Sequence, residues 1–200
     1  HDRGGRVAHR LALDNPERVQ KLCVIDIAPT LDMYARTDMA FARAYYHWFH
    51  LIQPAPLPER MIGGNARAYL HTKLGGWGTE AGARLAHVEP RALAEYERCF
   101  CRAEAIHTAC EDYRASAGID LDHDRADVVA GHRLPQALRV LWGEHGTVAR
   151  CFDVLALWRE RAANVSGHSL PCGHYIAEEA PERLTAEALS FFQPEPKEHP

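Results

Sequence analysis

The 200-residue chain is 46% hydrophobic and carries a formal net charge of −4, with 23 Lys and Arg set against 27 Asp and Glu and both signs interspersed. This is enough apolar content for one substantial core, as one domain or a domain with an insertion, and it leaves no broad basic face for nucleic acid. No apolar run approaches the ~18 residues of a membrane-spanning helix, so no membrane association is expected.

The chain opens on His1 rather than Met and shows no targeting pattern, and it is read as a fragment that begins mid-domain. Its first six residues, His1-Asp2-Arg3-Gly4-Gly5-Arg6, place a carboxylate among two glycines and two guanidiniums. Val7, Ala8, Leu11 and Ala12 then recur at helical spacing up to Asp14-Asn15-Pro16, which predicts a helix over about Arg3 to Leu13. The short apolar run from Leu22 to Ile27, bounded by Pro29, suits a strand buried on both faces of a parallel sheet.

From Leu31 to about Arg133 the pattern turns helical. Helices are expected over about Asp38 to Ile52, Asn65 to Leu74, Pro90 to Phe100 and Arg102 to Ala115. Breaks are expected at Gln53-Pro54-Ala55-Pro56-Leu57-Pro58, Gly63-Gly64 and Gly75-Gly76. After Leu134-Pro135-Gln136 a strand pattern resumes through Trp142 and ends at Gly143-Glu144-His145-Gly146. A helix over Phe152 to Arg161, a weak strand over Ala162 to Ser166, a loop over Gly167 to His174 and a last helix from Pro181 to Phe192 complete the reading. The expected organisation is an α/β core in two parts, residues 1–30 and 134–192, interrupted by a helical insertion over 31–133 and followed by a loose tail over 193–200.

Thirteen histidines raise the question of a metal. There is no H-E-x-x-H and no Cys/His finger spacing. The acid-rich Asp120-Leu121-Asp122-His123-Asp124 offers one imidazole, and His47 and His50 lie in an aromatic stretch without a carboxylate, so structural or surface histidines are expected and no metal. Cys23, Cys99, Cys101, Cys110, Cys151 and Cys172 form no C-x-x-C pair, and several sit in apolar or helical segments, as buried thiols do in a reducing compartment such as the cytoplasm.

An exposed nucleophile on a strand-to-helix turn needs small neighbours, and Gly4 supplies one. With Asp2 as nucleophile, a carboxylate would attack an alkyl carbon and form an ester, which a His-activated water then hydrolyses. His174, in a Gly-His turn near the end of the chain, is the candidate base. Its acid partner is Asp26, at the end of the first strand where ligand-contacting residues of parallel sheets gather; the other familiar position, after Trp142, offers Glu144.

Those residues, together with Ile25-Asp26-Ile27-Ala28-Pro29-Thr30, Tyr46-His47-Trp48, Cys110-Glu111-Asp112-Tyr113-Arg114, Gly173-His174 and Glu178-Glu179-Ala180-Pro181, run in order across nearly the whole chain. The chain resembles the haloacetate (fluoroacetate) dehalogenase family of α/β-hydrolases. The elbow motif is shared with epoxide hydrolases and haloalkane dehalogenases, whereas the full set is more specific. The resemblance implies the C-terminal part of an α/β-hydrolase fold, a mostly parallel sheet with a helical cap insertion. It implies Asp2 as nucleophile, His174 as base and Asp26 as the residue that orients it, with Arg3 and Arg6 gripping the substrate carboxylate. His47, Trp48 and Tyr113 would donate hydrogen bonds to the leaving halide, and Trp77 would line the same cavity. No cofactor is implied, and the expected partners are a short haloacid and water, with a homodimer left open.

Each assignment has a plainer rival. Asp2 suits a helix N-cap, Arg3 and Arg6 a solvated helix face, Asp26 a strand end and His174 an ordinary loop, while His47, Trp48 and Tyr113 suit helix packing. An epoxide hydrolase would use the same Asp2 and His174 with cap tyrosines, although Arg3, Arg6 and His47-Trp48 argue against it. A non-catalytic binding protein or an inactive fragment is the reading from a different class. In the family, strands ahead of the elbow carry a second oxyanion-hole donor besides the Arg3 N–H, so the chain as given is expected to lack that donor and to expose sheet edges prone to aggregation.

Overall fold

The computed structural model describes residues 1–75 and 85–193. Trp77 and the tail over 194–200 lie outside them. The described chain divides into two units, residues 1–29 with 131–193 and residues 30–130.

In chain order, α1 (Asp2–Asp14) leads through a single 3-10 turn to β1 (Lys21–Ile25). The second unit follows, with α2 (Thr30–Ala35), α3 (Met39–Ala44), α4 (Tyr46–Leu51), α5 (Leu57–Gly63), α6 (Ala66–Leu74), α7 (Pro90–Phe100), α8 (Ala103–Ala117) and α9 (Ile119–Ala130). The first unit then resumes with β2 (Leu134–Gly143), α10 (Thr147–Cys151), α11 (Val154–Arg161), β3 (Ala162–Leu170), α12 (Ile176–Glu179) and α13 (Pro181–Phe192). The strands form a parallel sheet in the order β1-β2-β3, with Val24 opposite Val140 and Leu141 opposite His168.

Parallel neighbours need crossovers, which here are the helical unit between β1 and β2 and the α10–α11 pair between β2 and β3. In strand β1, Leu22 and Val24 are buried and Cys23 and Ile25 half-buried. On the inner face, α1 lies against β1. A Cβ at Gly5 would stand 2.8 Å from Ile27 Cδ1, so a small residue there lets α1 settle on β1. Trp158, almost fully buried, fixes the same layer by donating from Nε1 to the Ile27 carbonyl at 2.8 Å and by meeting the His9 ring edge-on at 5.1 Å. The opposite face is closed by Leu170, Cys172, Ile176 and Ala180, with Ile25 and Leu184 packed against them.

Several boundaries differ from expectation, each for a local reason. The helix expected over Asp38 to Ile52 is two, α3 capped by the Asp38 side chain on the Phe41 N–H and α4 beginning after Tyr45, an interruption with no Gly or Pro to signal it. Helix α5 starts within the Pro-rich break, because Pro58 sits in its first turn, where the missing N–H costs nothing. The acidic run near His123 is part of α9, with Asp120 and Asp122 in its first turn, where carboxylates suit the helix dipole. Helices α2, α9, α10 and α12 were not anticipated; α2, α10 and α12 are four to six residues long and too short to show a period, whereas α9 is twelve residues long and carries the acidic run. Strand β3 runs on to Leu170, so Gly167 to Leu170 is strand and not loop; its mixed, partly exposed pattern reflects its place at the edge of the described sheet. Of the cysteines, Cys110 and Cys172 are buried but Cys99 and Cys101 are exposed, and all six are free thiols. Among the described residues no helix is long and apolar enough to cross a membrane.

Trp158 joins a large buried apolar surface to a buried hydrogen bond, so Trp158→Ala should destabilise the protein by about 3–5 kcal/mol. Urea unfolding would show this as a lower midpoint, and an unchanged midpoint would place the core elsewhere.

Candidate active site

Two carboxylates sit in unusual backbone. Asp2 has φ 41° and Asp26 φ 49°, the left-handed region that L-residues other than Gly, Asn and Asp rarely enter. Such conformations cost of order 1–3 kcal/mol and persist where the surroundings hold them. Asp2 is the first residue of α1, and His1, not Asp2, occupies the N-cap position, with no side-chain cap. The N-cap reading of Asp2 therefore fails; its carboxylate lies in the first turn of α1.

Asp26 follows β1 directly. Its backbone N–H donates to the Leu141 carbonyl at 2.7 Å, extending the pairing with β2 by one residue, and the left-handed turn then directs its fully buried carboxylate across the strand ends. Oδ1 accepts the Gly143 N–H at 2.9 Å, and Oδ2 lies 2.6 Å from His174 Nδ1. A Cβ at Gly143 would fall 1.9 Å from the Gly173 carbonyl oxygen, so only glycine lets the end of β2 approach the turn that carries His174. Glu144, the other acid considered, is exposed.

His174 Nε2 lies 3.9 Å from Asp2 Oδ2, beyond hydrogen-bond range. The imidazole thus stands between two acids, bonded to one and facing the other. Burial alone would lower its pKa; the hydrogen bond it donates to Asp26 and the charges of Asp2 and Asp26 outweigh burial and the nearby Arg6, and the net direction is upward from 6.5. The turn itself is held by a residue that motif reading quoted without assigning a role: Glu179 accepts the Gly173 N–H through Oε2 at 2.6 Å and the Tyr175 N–H through Oε1 at 3.0 Å. His1 Nε2 meets the His174 carbonyl at 3.0 Å. These are backbone contacts, which leave no periodic signature in a sequence.

Arg3 and Arg6 share the first turns of α1. Arg3 is half-buried, and Arg6 is buried with Nη1 donating to the Ala28 carbonyl at 2.9 Å, so the solvated-face reading fails for Arg6. In the helical unit His47, Trp48 and Tyr113 are all buried and in contact, the Tyr113 ring lying 5.8 Å from His47 and 6.2 Å from Trp48. The structure thus brings together Asp2, Asp26 and His174 in one unit and the three rings in the other. One further group of donors, Glu59, His107 and Glu111, has ligand atoms within 4.8 Å of one another, but its positive charge comes from Arg114, which pairs with both glutamates and holds Glu59 well below the usual carboxylate range.

The Asp2 turn and the Asp26–His174 pair at the strand ends are accompanied by close structural likeness to known proteins. The chain superposes on an α/β hydrolase of Nostoc sp PCC 7120 with a TM-score of 0.90 and 54% identity, covering 96% of this chain and 64% of that one. The chain has the fold of the C-terminal part of an α/β hydrolase. No family model matches it. The chain is 39% identical to a fluoroacetate dehalogenase of a Burkholderia species over 193 residues, 95% of this chain and 62% of the relative. It is 27% identical to a soluble epoxide hydrolase of Corynebacterium sp. strain C12 over 197 residues, 97% of this chain and 65% of the relative. The chain therefore spans less than two thirds of these relatives' lengths.

The raised His174 pKa sets a pH dependence of stability. The folded protein holds this proton more tightly than the unfolded chain, so the contribution is fully present below about 6.5 and is lost as pH rises through the folded value. Asp26→Asn, which tolerates the same left-handed backbone, should remove most of this dependence. Urea unfolding of both proteins across pH would check it; parallel curves above neutrality would contradict the pairing.

Proposed function

We propose that the protein is a hydrolytic dehalogenase of short 2-haloacids such as fluoroacetate or chloroacetate, acting through an ester on Asp2. The observation that carries the reading is the imidazole of His174 bonded to Asp26 through Nδ1 and facing Asp2 through Nε2. A base so oriented can take a proton from water beside Asp2 while Asp26 balances the charge it acquires. The likeness to a fluoroacetate dehalogenase supports the choice of substrate.

In the first step an Asp2 carboxylate oxygen attacks the halogen-bearing carbon; the C–O bond forms as the carbon–halogen bond breaks, and the halide leaves with the electron pair. In the second, water gives its proton to His174 and attacks the ester carbonyl. The hydroxyacid oxygen departs, Asp2 regains its carboxylate, and the products are halide, the 2-hydroxy acid and a proton. The overall change is hydrolysis and calls for no redox partner or organic cofactor. Arg3 and Arg6 are assigned to the substrate carboxylate, for which the planar guanidinium is suited. His47, Trp48 and Tyr113 are the assigned donors to the halide, whose charge develops mainly in the transition state. The free thiols suit a reducing compartment, in keeping with a cytoplasmic setting.

An epoxide hydrolase of the same fold is the second reading, favoured by the Corynebacterium relative. Incubation of the natural full-length protein with fluoroacetate should release fluoride at an ion-selective electrode; silence there, with diol formed from an epoxide, would select the second reading. His174→Asn should stop the reaction after the first step, so intact-mass spectrometry should find substrate-derived mass on the peptide bearing Asp2. An unmodified peptide would refute the ester mechanism.

A further inference from the structure

We infer that Glu179 is a positioning residue that clamps the turn carrying His174 and thereby aims the imidazole for ester hydrolysis. The inference rests on the function proposed above for its kinetic consequence, though not for its structural one.

Glu179 ends the short helix α12, and its carboxylate reaches back to the turn before that helix. One oxygen takes the N–H of the residue before His174 and the other the N–H of the residue after it. With His1 Nε2 at the His174 carbonyl, side chains engage three backbone groups of this turn: the Gly173 N–H, the Tyr175 N–H and the His174 carbonyl. A carboxylate bonded to two N–H groups is a charge-assisted, two-point contact and restricts rotation of the turn more than one neutral bond does. The turn is held at its start by the His145 N–H on the Cys172 carbonyl and at its end by α12, and the Glu179 carboxylate bridges the stretch between them. The imidazole must satisfy two distances at once, to Asp26 and to a water beside Asp2, so a small rotation of this turn degrades both. The charged groups that face His174 are Asp26, Asp2 and Arg6, and its ring neighbours are His1 and Tyr175.

Glu179→Gln keeps the size of the side chain but replaces one acceptor by an N–H₂ that confronts a backbone N–H. In the natural full-length protein with isotope-labelled histidine, the His174 titration midpoint followed by NMR should move down toward the ordinary imidazole value as the Asp26 contact loosens. With fluoroacetate, ester formation on Asp2 should persist while its hydrolysis slows by roughly 10- to 100-fold, the scale of misplacing a reacting group by about an ångström, so that ester accumulates. Glu179→Asp, which keeps the charge, should recover part of both effects and serves if the Gln variant does not fold. A variant that melts earlier yet keeps the His174 midpoint and the balance of the two steps would overturn the inference. Absence of fluoride release from the unaltered protein would instead refute the proposed function, and the His174 midpoint would still decide the role of Glu179.

Discussion

One buried carboxylate ties the ends of all three strands together. Asp26 leaves β1 through a left-handed turn, accepts the N–H that ends β2 and binds the imidazole carried just beyond β3. A buried acid is costly to hold ionised without partners, so each contact is needed by the others: the Gly143 N–H and His174 stabilise the charge, and the charge fixes where both stand. The same contact raises the proton affinity of His174, which links conformational stability to the chemistry available at the site.

The supporting structure reads as the means of keeping that contact in place. Gly143 permits the close approach of the β2 end to the His174 turn, Gly5 lets α1 settle on Ile27, and Trp158 secures the carbonyl of the residue after Asp26. On the other face, Ile176 and Ala180 pack α12 and the start of α13 against Leu170, which fixes the base of the turn that Glu179 closes. Backbone strain at Asp2 and Asp26 is borne by this packing, and both strained residues carry a carboxylate that faces the same imidazole.

The strands, most of the long helices and the candidate triad were legible because each leaves a local trace. Val24 and Ile25 form an apolar run, Pro90 to Phe100 shows a clean period, and Asp26 stands at the strand end where a parallel sheet gathers its chemistry. What escaped reading has no such trace. The helices over Thr30–Ala35 and Leu57–Gly63 begin at prolines that also signal breaks, and the bend at Tyr45 is set by the packing of Phe41, Tyr45 and Trp48, which bury together. The clamp by Glu179 depends on backbone N–H groups, which spacing does not encode.

The strands β1 and β2 are neighbours in the sheet, yet the whole helical unit over 30–130 lies between them in the chain. Helices can gather through contacts close in sequence, whereas this pairing waits for a long loop to close. Until it closes, the acid and the base of the dyad remain on separate, unconnected segments. A nascent molecule can therefore be rich in helix before Asp26 and His174 meet.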